Sequence, residues 1–130
     1  MVIQVVRLGT PRLPREGTRI GTVRRPPRGV PKTQFAALNW YDVWFPTLAP
    51  SPEVMKLGQV ADTPAKWAAF VKKYKTEMAA PEAAHAIRLL AALSKTANFS
   101  VGCYCAHEAH CHRGALKALL LEHGADLGVP

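Results

Sequence analysis

The sequence predicts a small single-domain α/β protein, with a parallel or mixed central sheet and helices packed on it. Short β-branched or apolar runs at Ile3–Leu8, Thr18–Val23 and Phe99–Tyr104 are typical of strands. Segments with apolar residues at helical spacing lie between the second and third runs, and another follows the third. Strands that alternate with helices favour a sheet of this kind. We expect residues 1–130 to form one domain, since this length buries a real core.

The helices are predicted from their start signals. Ser51 and Thr63 each precede a proline, which combines an N-cap residue with proline at the first helical position. Pro81 opens a further helix, and Gly124 supplies a stop for the last one. The predicted helices span about residues 51–57, 63–78, 81–93 and 114–124.

The aromatic segment Asn39–Phe45 is compatible with either a strand or a packed loop. We expect Trp40, Trp44 and Phe45 to belong to the core. The alternative is that these rings form an aromatic wall beside a pocket.

Positive charge is concentrated in the first quarter of the chain. The net charge is +8, and residues 1–32 hold eight basic residues against one acid. Seven of the eight are arginine, which forks onto phosphate or carboxylate better than lysine does. The pattern indicates an anionic partner, either a small anion or nucleotide or a nucleic acid, with a solvated basic surface as the alternative. The loop 24–29 crowds Arg24 and Arg28 together with prolines at the end of a predicted strand.

The expected setting is the cytoplasm, with no membrane span. No apolar run approaches the ~18–20 residues that a span needs. The N-terminal segment has no apolar stretch followed by a cleavage site, so we expect no signal peptide. Three cysteines, two of them one residue apart, suit a reducing compartment better than a disulfide scaffold. The sequence predicts no oligomeric state.

The main functional clue is the stretch 103–113, which contains all three cysteines and three of the five histidines. Cys111, His112 and Arg113 lie at the predicted start of the last helix, where free N–H groups and the helix dipole favour negative charge. His112 and Arg113 would also favour thiolate, so we predict Cys111 as the most reactive cysteine, Cys105 as intermediate and Cys103 as inert. Cys111 and His112 are the candidate catalytic residues.

The same geometry can hold a bound anion. Arg113 would then act as a clamp together with Arg24 or Arg28 from the earlier loop. Both loops leave the carboxyl ends of predicted strands, and ligands of open α/β sheets bind beyond those ends. If the strands are parallel neighbours, we expect the two loops to meet.

Metal binding is the alternative for this stretch. Six side chains of this stretch offer ligands suited to zinc or another transition ion: Cys103, Cys105, His107, His110, Cys111 and His112. The alternative metal set is Cys105, His107, His110 and Cys111. Their spacing matches no common closed site, so we predict no stoichiometric metal and no cofactor.

The pairing of Thr-Val-Arg-Arg-Pro-Pro-Arg-Gly with a late Cys-Tyr-Cys and Cys-His-Arg resembles the domain of unknown function 488 family. The resemblance covers nearly the whole chain and implies a small α/β fold without an established activity. Thr22 stands where that family usually has aspartate, and Cys105 stands where glutamate is common. The residues that match the family pattern are Arg24, Pro27, Cys103, Cys111, His112 and Arg113.

Two function classes follow. In the first, the protein is an enzyme or sensor that binds a small anion or nucleotide, with Cys111 as a reactive thiol. In the second, it is a nucleic-acid-binding module that uses the arginine-rich first quarter. The chain has no recognition helix rich in base-reading side chains, so we favour the first class. The sequence does not say whether a reaction is catalysed.

Overall fold

The computed structural model describes residues 1–105 and 111–128, and its described strands form one parallel sheet. The predicted α/β class is confirmed, with the sheet parallel rather than mixed. The short third strand lies in the segment for which the sequence leaves strand and packed loop open. The strands are β1 (Ile3–Arg7), β2 (Thr18–Gly21), β3 (Val43–Trp44) and β4 (Phe99–Cys103), in the spatial order β1-β4-β2-β3.

Strand β4 lies between β1 and β2, although it comes last along the chain. Val101 is in register with Val5 on one side and with Ile20 on the other. All five residues of β4 are buried, as expected for a central strand covered on both faces. Because the strands are parallel, β1, β2 and β4 all end at one edge of the sheet. We call it the carboxyl edge.

The helices begin where the capping signals predict. The side chain of Ser51 accepts a hydrogen bond from the backbone N–H of Val54 at 3.3 Å. The side chain of Thr63 accepts one from the N–H of Lys66 at 3.1 Å. The last helix begins two residues before the predicted Gly114. The helices are α1 (Pro52–Gln59), α2 (Pro64–Met78), α3 (Pro81–Leu93) and α4 (His112–Glu122), and two short 3-10 turns lie at Lys32–Gln34 and Pro46–Leu48.

The main core forms between one face of the sheet and the helices. Ile3 and Val101 contribute from the strands, and Ile87 and Leu116 contribute from α3 and α4. Tyr74 of α2 is fully buried, and its hydroxyl donates to the backbone oxygen of Leu48 at 2.7 Å. The buried phenol therefore keeps a partner inside an apolar cluster.

The aromatic segment departs from its prediction. Trp44 is 44% exposed, and its indole N–H donates to the backbone oxygen of Val23 at 2.8 Å. Its two-residue strand sits at the edge of the sheet, where no further strand covers it within the described part of the chain. Trp40 is half-buried and Phe45 packs partly against the core. The core assignment is thus wrong for Trp44, and the alternative of a wall beside a pocket fits Trp40.

The other face of the sheet carries a buried ion pair. Arg19 of β2 and Glu16 of the preceding loop are 0% and 2% exposed. The guanidinium Nε donates to one carboxylate oxygen at 2.7 Å, and NH2 donates to the other at 2.9 Å. Ser100 of β4 also donates to Glu16, at 2.6 Å. Arg19 is therefore not one of the free surface cations that the basic first quarter suggests.

Glu16 stays ionised despite its burial. Desolvation alone would raise its pKa, but hydrogen bonds from Arg19, Ser100 and the N–H of Leu13 lower it from an ordinary 4.5 to about 2. A depressed pKa adds stability that is fully present above pH 4.5. This contribution is lost as the pH falls toward 2.

We predict that Glu16→Gln lowers the free energy of unfolding by about 3–5 kcal/mol, because it leaves Arg19 buried without a charged partner. Urea denaturation at pH 7 measures this loss. Between pH 4.5 and 2, the difference between wild type and variant should shrink as wild-type Glu16 becomes protonated. The matched control is Asp62→Asn, which removes an exposed carboxylate near Lys66 and should cost less than about 1 kcal/mol. Equal losses in the two variants would contradict the prediction.

Candidate functional site

Two adjoining cavities lie at the carboxyl edge of the sheet. The first, here called the basic cleft, has a volume of about 760 Å³. Three exposed arginines line it: Arg7 from the end of β1, and Arg25 and Arg28 from the loop after β2. Trp40 and Tyr104 supply its aromatic wall. The ends of three parallel strands thus converge on one positively charged hollow.

The second cavity, here called the thiol cavity, has a volume of about 520 Å³. Cys103, Cys111 and His112 line one side of it. The opposite wall is largely apolar and comes from α1 and α2, with Met55, Trp67 and Phe70 among its residues. A largely apolar cavity with a few polar side chains on one side has the usual composition of a small-molecule site.

Tyr104 and Arg25 line both cavities and so form their common border. The Tyr104 ring packs edge-on against Trp40, with centroids 5.8 Å apart. Its hydroxyl donates to the backbone oxygen of Arg25 at 2.8 Å. Burial, followed by the nearby Tyr41, raises the pKa of Tyr104, so its hydroxyl stays a proton donor at neutral pH.

The cysteines are arranged differently from the prediction. The Sγ atoms of Cys103 and Cys111 are in direct contact, within disulfide-bonding range. Cys111 is the N-cap of α4, which matches its predicted place at a helix start. It is only 3% exposed, whereas Cys105 is exposed and free. Burial disfavours the charged thiolate, so the structure favours Cys105 as the thiol that reacts first with reagents in solution.

His112 is buried at the first position of α4. Its Nε2 lies 2.7 Å from the backbone oxygen of Thr22. A carbonyl accepts only, so Nε2 carries the proton and Nδ1 presents a lone pair 3.8 Å from the Cys111 sulfur. Burial and the nearby Arg113 lower the pKa of His112 to about 4, against the raising effect of its bond to Thr22. At neutral pH the ring is uncharged and does not supply the positive charge expected beside Cys111.

Arg113 is 5% exposed, and its guanidinium contacts the end of β4 and the residues that follow it. Its NH1 donates to the backbone oxygen of Cys105 at 2.7 Å. The same nitrogen lies 3.5 Å from both the backbone oxygen and the sulfur of Cys103. These contacts favour a structural role for Arg113 over the predicted anion clamp.

The described ends of the two predicted loops line the same cavity. Arg24 lines the thiol cavity together with Cys111 and His112. Its guanidinium also donates to the backbone oxygens of Ala49 and Pro50, at 3.1 and 3.2 Å, which joins the end of β2 to the start of α1. Arg28 lies in the basic cleft instead. The anion-binding roles of these arginines, and the catalytic roles of Cys111 and His112, stay predictions.

Sequence reasoning missed Arg7, Arg25 and Tyr104 as site residues. Each follows or ends a strand, so the rule that ligands bind beyond strand ends could have found them. In the alternative metal set, His107 and His110 lie outside the described residues.

Thr22 is fully buried rather than turned toward ligand. Its backbone N–H and its hydroxyl both donate to the backbone oxygen of Gly102, each at 3.0 Å. Its own backbone oxygen accepts from His112. Thr22 therefore joins β2 to β4 and orients the imidazole.

Fold and site together define a small α/β protein with a basic cleft and a Cys/His cavity where its parallel strands end. The family model described as the active DUF488-N3 subclade matches residues 3–124, so the chain belongs to this family. No curated protein and no solved structure matches the chain. Across the described residues, every helix is too short or too polar to cross a membrane.

We predict that, under reducing conditions, an alkylating reagent labels Cys105 first in the folded protein. Cys103 and Cys111 should label at comparable rates only in denaturant, because burial shields them from reagent and disfavours thiolate. Peptide mapping by mass spectrometry distinguishes the three sites. Cys105→Ser is the control variant and should remove the fast phase. A fast phase that survives in this variant and maps to Cys111 would restore the sequence-based prediction.

Proposed function

We propose that the protein binds a small phosphate-bearing ligand of the nucleotide class at the carboxyl edge of its sheet. The observation that carries this proposal is the convergence of Arg7, Arg25 and Arg28 on one cleft beside Trp40 and Tyr104. Guanidinium groups form bidentate hydrogen bonds with phosphate oxygens, and aromatic rings offer surfaces on which bases stack. The cleft volume of about 760 Å³ is in the usual range for small-molecule sites.

The charge balance of the cleft supports an anion. None of its described lining residues is acidic, so the three guanidinium groups are not neutralised from within the lining. The neighbouring thiol cavity adds Arg24 and the backbone N–H groups at the start of α4. A ligand whose phosphate rests on Arg25 would place its remainder next to Cys111 and His112. We propose these two side chains as the groups that act on it.

The distribution of the other arginines favours a small ligand over nucleic acid. Arg19 is buried against Glu16, and Arg12 pairs with Asp42 at 2.8 Å. Two of the cations that could have formed an extended phosphate-binding surface are therefore occupied. We place the function in the reducing cytoplasm, as the cysteine content favours.

We predict that an Arg25→Ala/Arg28→Ala variant loses at least about tenfold in affinity for pyrophosphate or AMP, since each charge-assisted hydrogen bond contributes about 1.5–3 kcal/mol. Isothermal titration calorimetry measures the affinity. The matched control is Arg88→Ala, which removes one positive charge from the exposed face of α3 and should bind as wild type. Quenching of tryptophan fluorescence that disappears in Trp40→Phe would locate the ligand in the basic cleft.

A parallel titration with duplex DNA and single-stranded RNA decides between the two function classes. Small-ligand binding predicts weak association with both polymers. Tight polymer binding that falls steeply with salt, without binding of pyrophosphate or AMP, would overturn the proposal in favour of a nucleic-acid module.

A further inference from the structure

Three metal-ligating side chains converge at the inner end of the thiol cavity. The Cys103 and Cys111 sulfurs and a ring nitrogen of His112 all lie within 4.8 Å of one another. All three side chains are buried. Cys103 is the last residue of β4, and the other two begin α4, so regular structure positions the whole set. Thiolate and imidazole are the ligands that zinc prefers in proteins.

The imidazole is already oriented for metal binding. Its Nε2–H donates to the backbone oxygen of Thr22, which leaves the Nδ1 lone pair directed to the cluster. Metal-ligating histidines commonly anchor their second ring nitrogen in this way. Nδ1 lies 3.8 Å from the Cys111 sulfur. A tetrahedral zinc ion would hold a nitrogen and a sulfur about 3.6 Å apart, given its usual bond lengths.

The backbone around the two cysteines suits a shared ion better than a covalent bond. Their Cα atoms are 7.7 Å apart, beyond the separations at which disulfides ordinarily form. Arg113 donates to the Cys103 sulfur at 3.5 Å, so a permanent positive charge lies beside the ligand set and offsets part of the cost of burying a thiolate there. Thiolate, rather than thiol, is the form that binds metal.

We propose that Cys103, Cys111 and His112 bind one zinc-class divalent ion, with the fourth coordination position open to the thiol cavity. Binding deprotonates both thiols, and the two protons pass to solvent. This ligand set differs from the sequence-based alternative and contradicts the prediction of no stoichiometric metal. The spacing of these ligands matches no common zinc-binding motif, because two of them are adjacent in sequence and the third comes from the end of a strand. The proposal does not depend on nucleotide binding in the basic cleft.

The test uses the full chain, purified anaerobically with reductant and then titrated with Co²⁺ or Zn²⁺. We expect one ion per chain by elemental analysis, and a thiolate-to-cobalt absorption band in the near ultraviolet. Cys103→Ser and Cys111→Ser should each weaken binding by at least about 100-fold, since losing even a supporting partner of a ligand costs 10–100-fold. Cys105→Ser is the matched control and should keep both the stoichiometry and the band.

A second measurement uses the wild-type chain, because a cysteine variant that fails to fold would lose metal binding for another reason. Bound Zn²⁺ should block alkylation of Cys103 and Cys111 at denaturant concentrations where the metal-free chain is labelled, while Cys105 is labelled in both states. The proposal is overturned if the reduced wild-type chain binds no stoichiometric ion, or if Cys105→Ser abolishes the band. It is also overturned if Cys103 and Cys111 are isolated as a disulfide from the reducing preparation. The Arg25→Ala/Arg28→Ala variant should bind metal normally, so failure of the nucleotide proposal is recorded separately.

Discussion

The buried ion pair between Glu16 and Arg19 fixes the face of the sheet that the helices do not cover. Besides its two bonds to Glu16, the Arg19 guanidinium donates to the backbone oxygens of Thr10 and Asn39, both at 2.8 Å. One side chain thereby holds the segment after β1 against the segment before β3. Trp40 and Gly9, which line the basic cleft, lie directly beside those contacts. A side chain at Gly9 would meet the Trp40 ring at 2.9 Å, so the cleft wall depends on how closely these two segments approach.

The site is assembled from distant parts of the chain because the sheet is parallel. Residues 24–28 and 104–105 follow β2 and β4, which are neighbours, and therefore reach the same edge. Thr22 fastens this arrangement, since it binds Gly102 of β4 through two donors and orients His112 through its backbone oxygen. A threonine here carries no charge, so this position supplies no carboxylate to the site. The chemistry available nearby comes from sulfur, imidazole and guanidinium groups.

Much of the fold follows from local sequence signals. Ser51 and Thr63 define helix starts by capping alone, and the parallel sheet predicts that the arginine loop and the cysteine loop meet. Local signals fail where contacts between distant segments determine whether a side chain is buried or which side chain it touches. An arginine in this basic segment is expected on the surface. Arg19 is buried because the carboxylate of Glu16 and the surrounding backbone oxygens satisfy its guanidinium group. The contact between Cys103 and Cys111 depends on where the start of α4 lies relative to the end of β4, which spacing along the chain does not specify. The exposure of Trp44 follows from its place on an edge strand.

The position of β4 has a consequence for the order in which the protein can acquire its structure. β1 and β2 do not pair with each other within the described sheet, because each is paired with β4. Until β4 is synthesised, β1 therefore has no partner among the described strands, although three of the four described helices precede β4 in the chain. The pairing of β4 with β1 and β2 joins residues about 80–96 positions apart. Such non-local pairing forms slowly compared with a helix. The nascent chain carries exposed strand edges until β4 inserts, so assembly of the sheet and of both cavities must wait for β4.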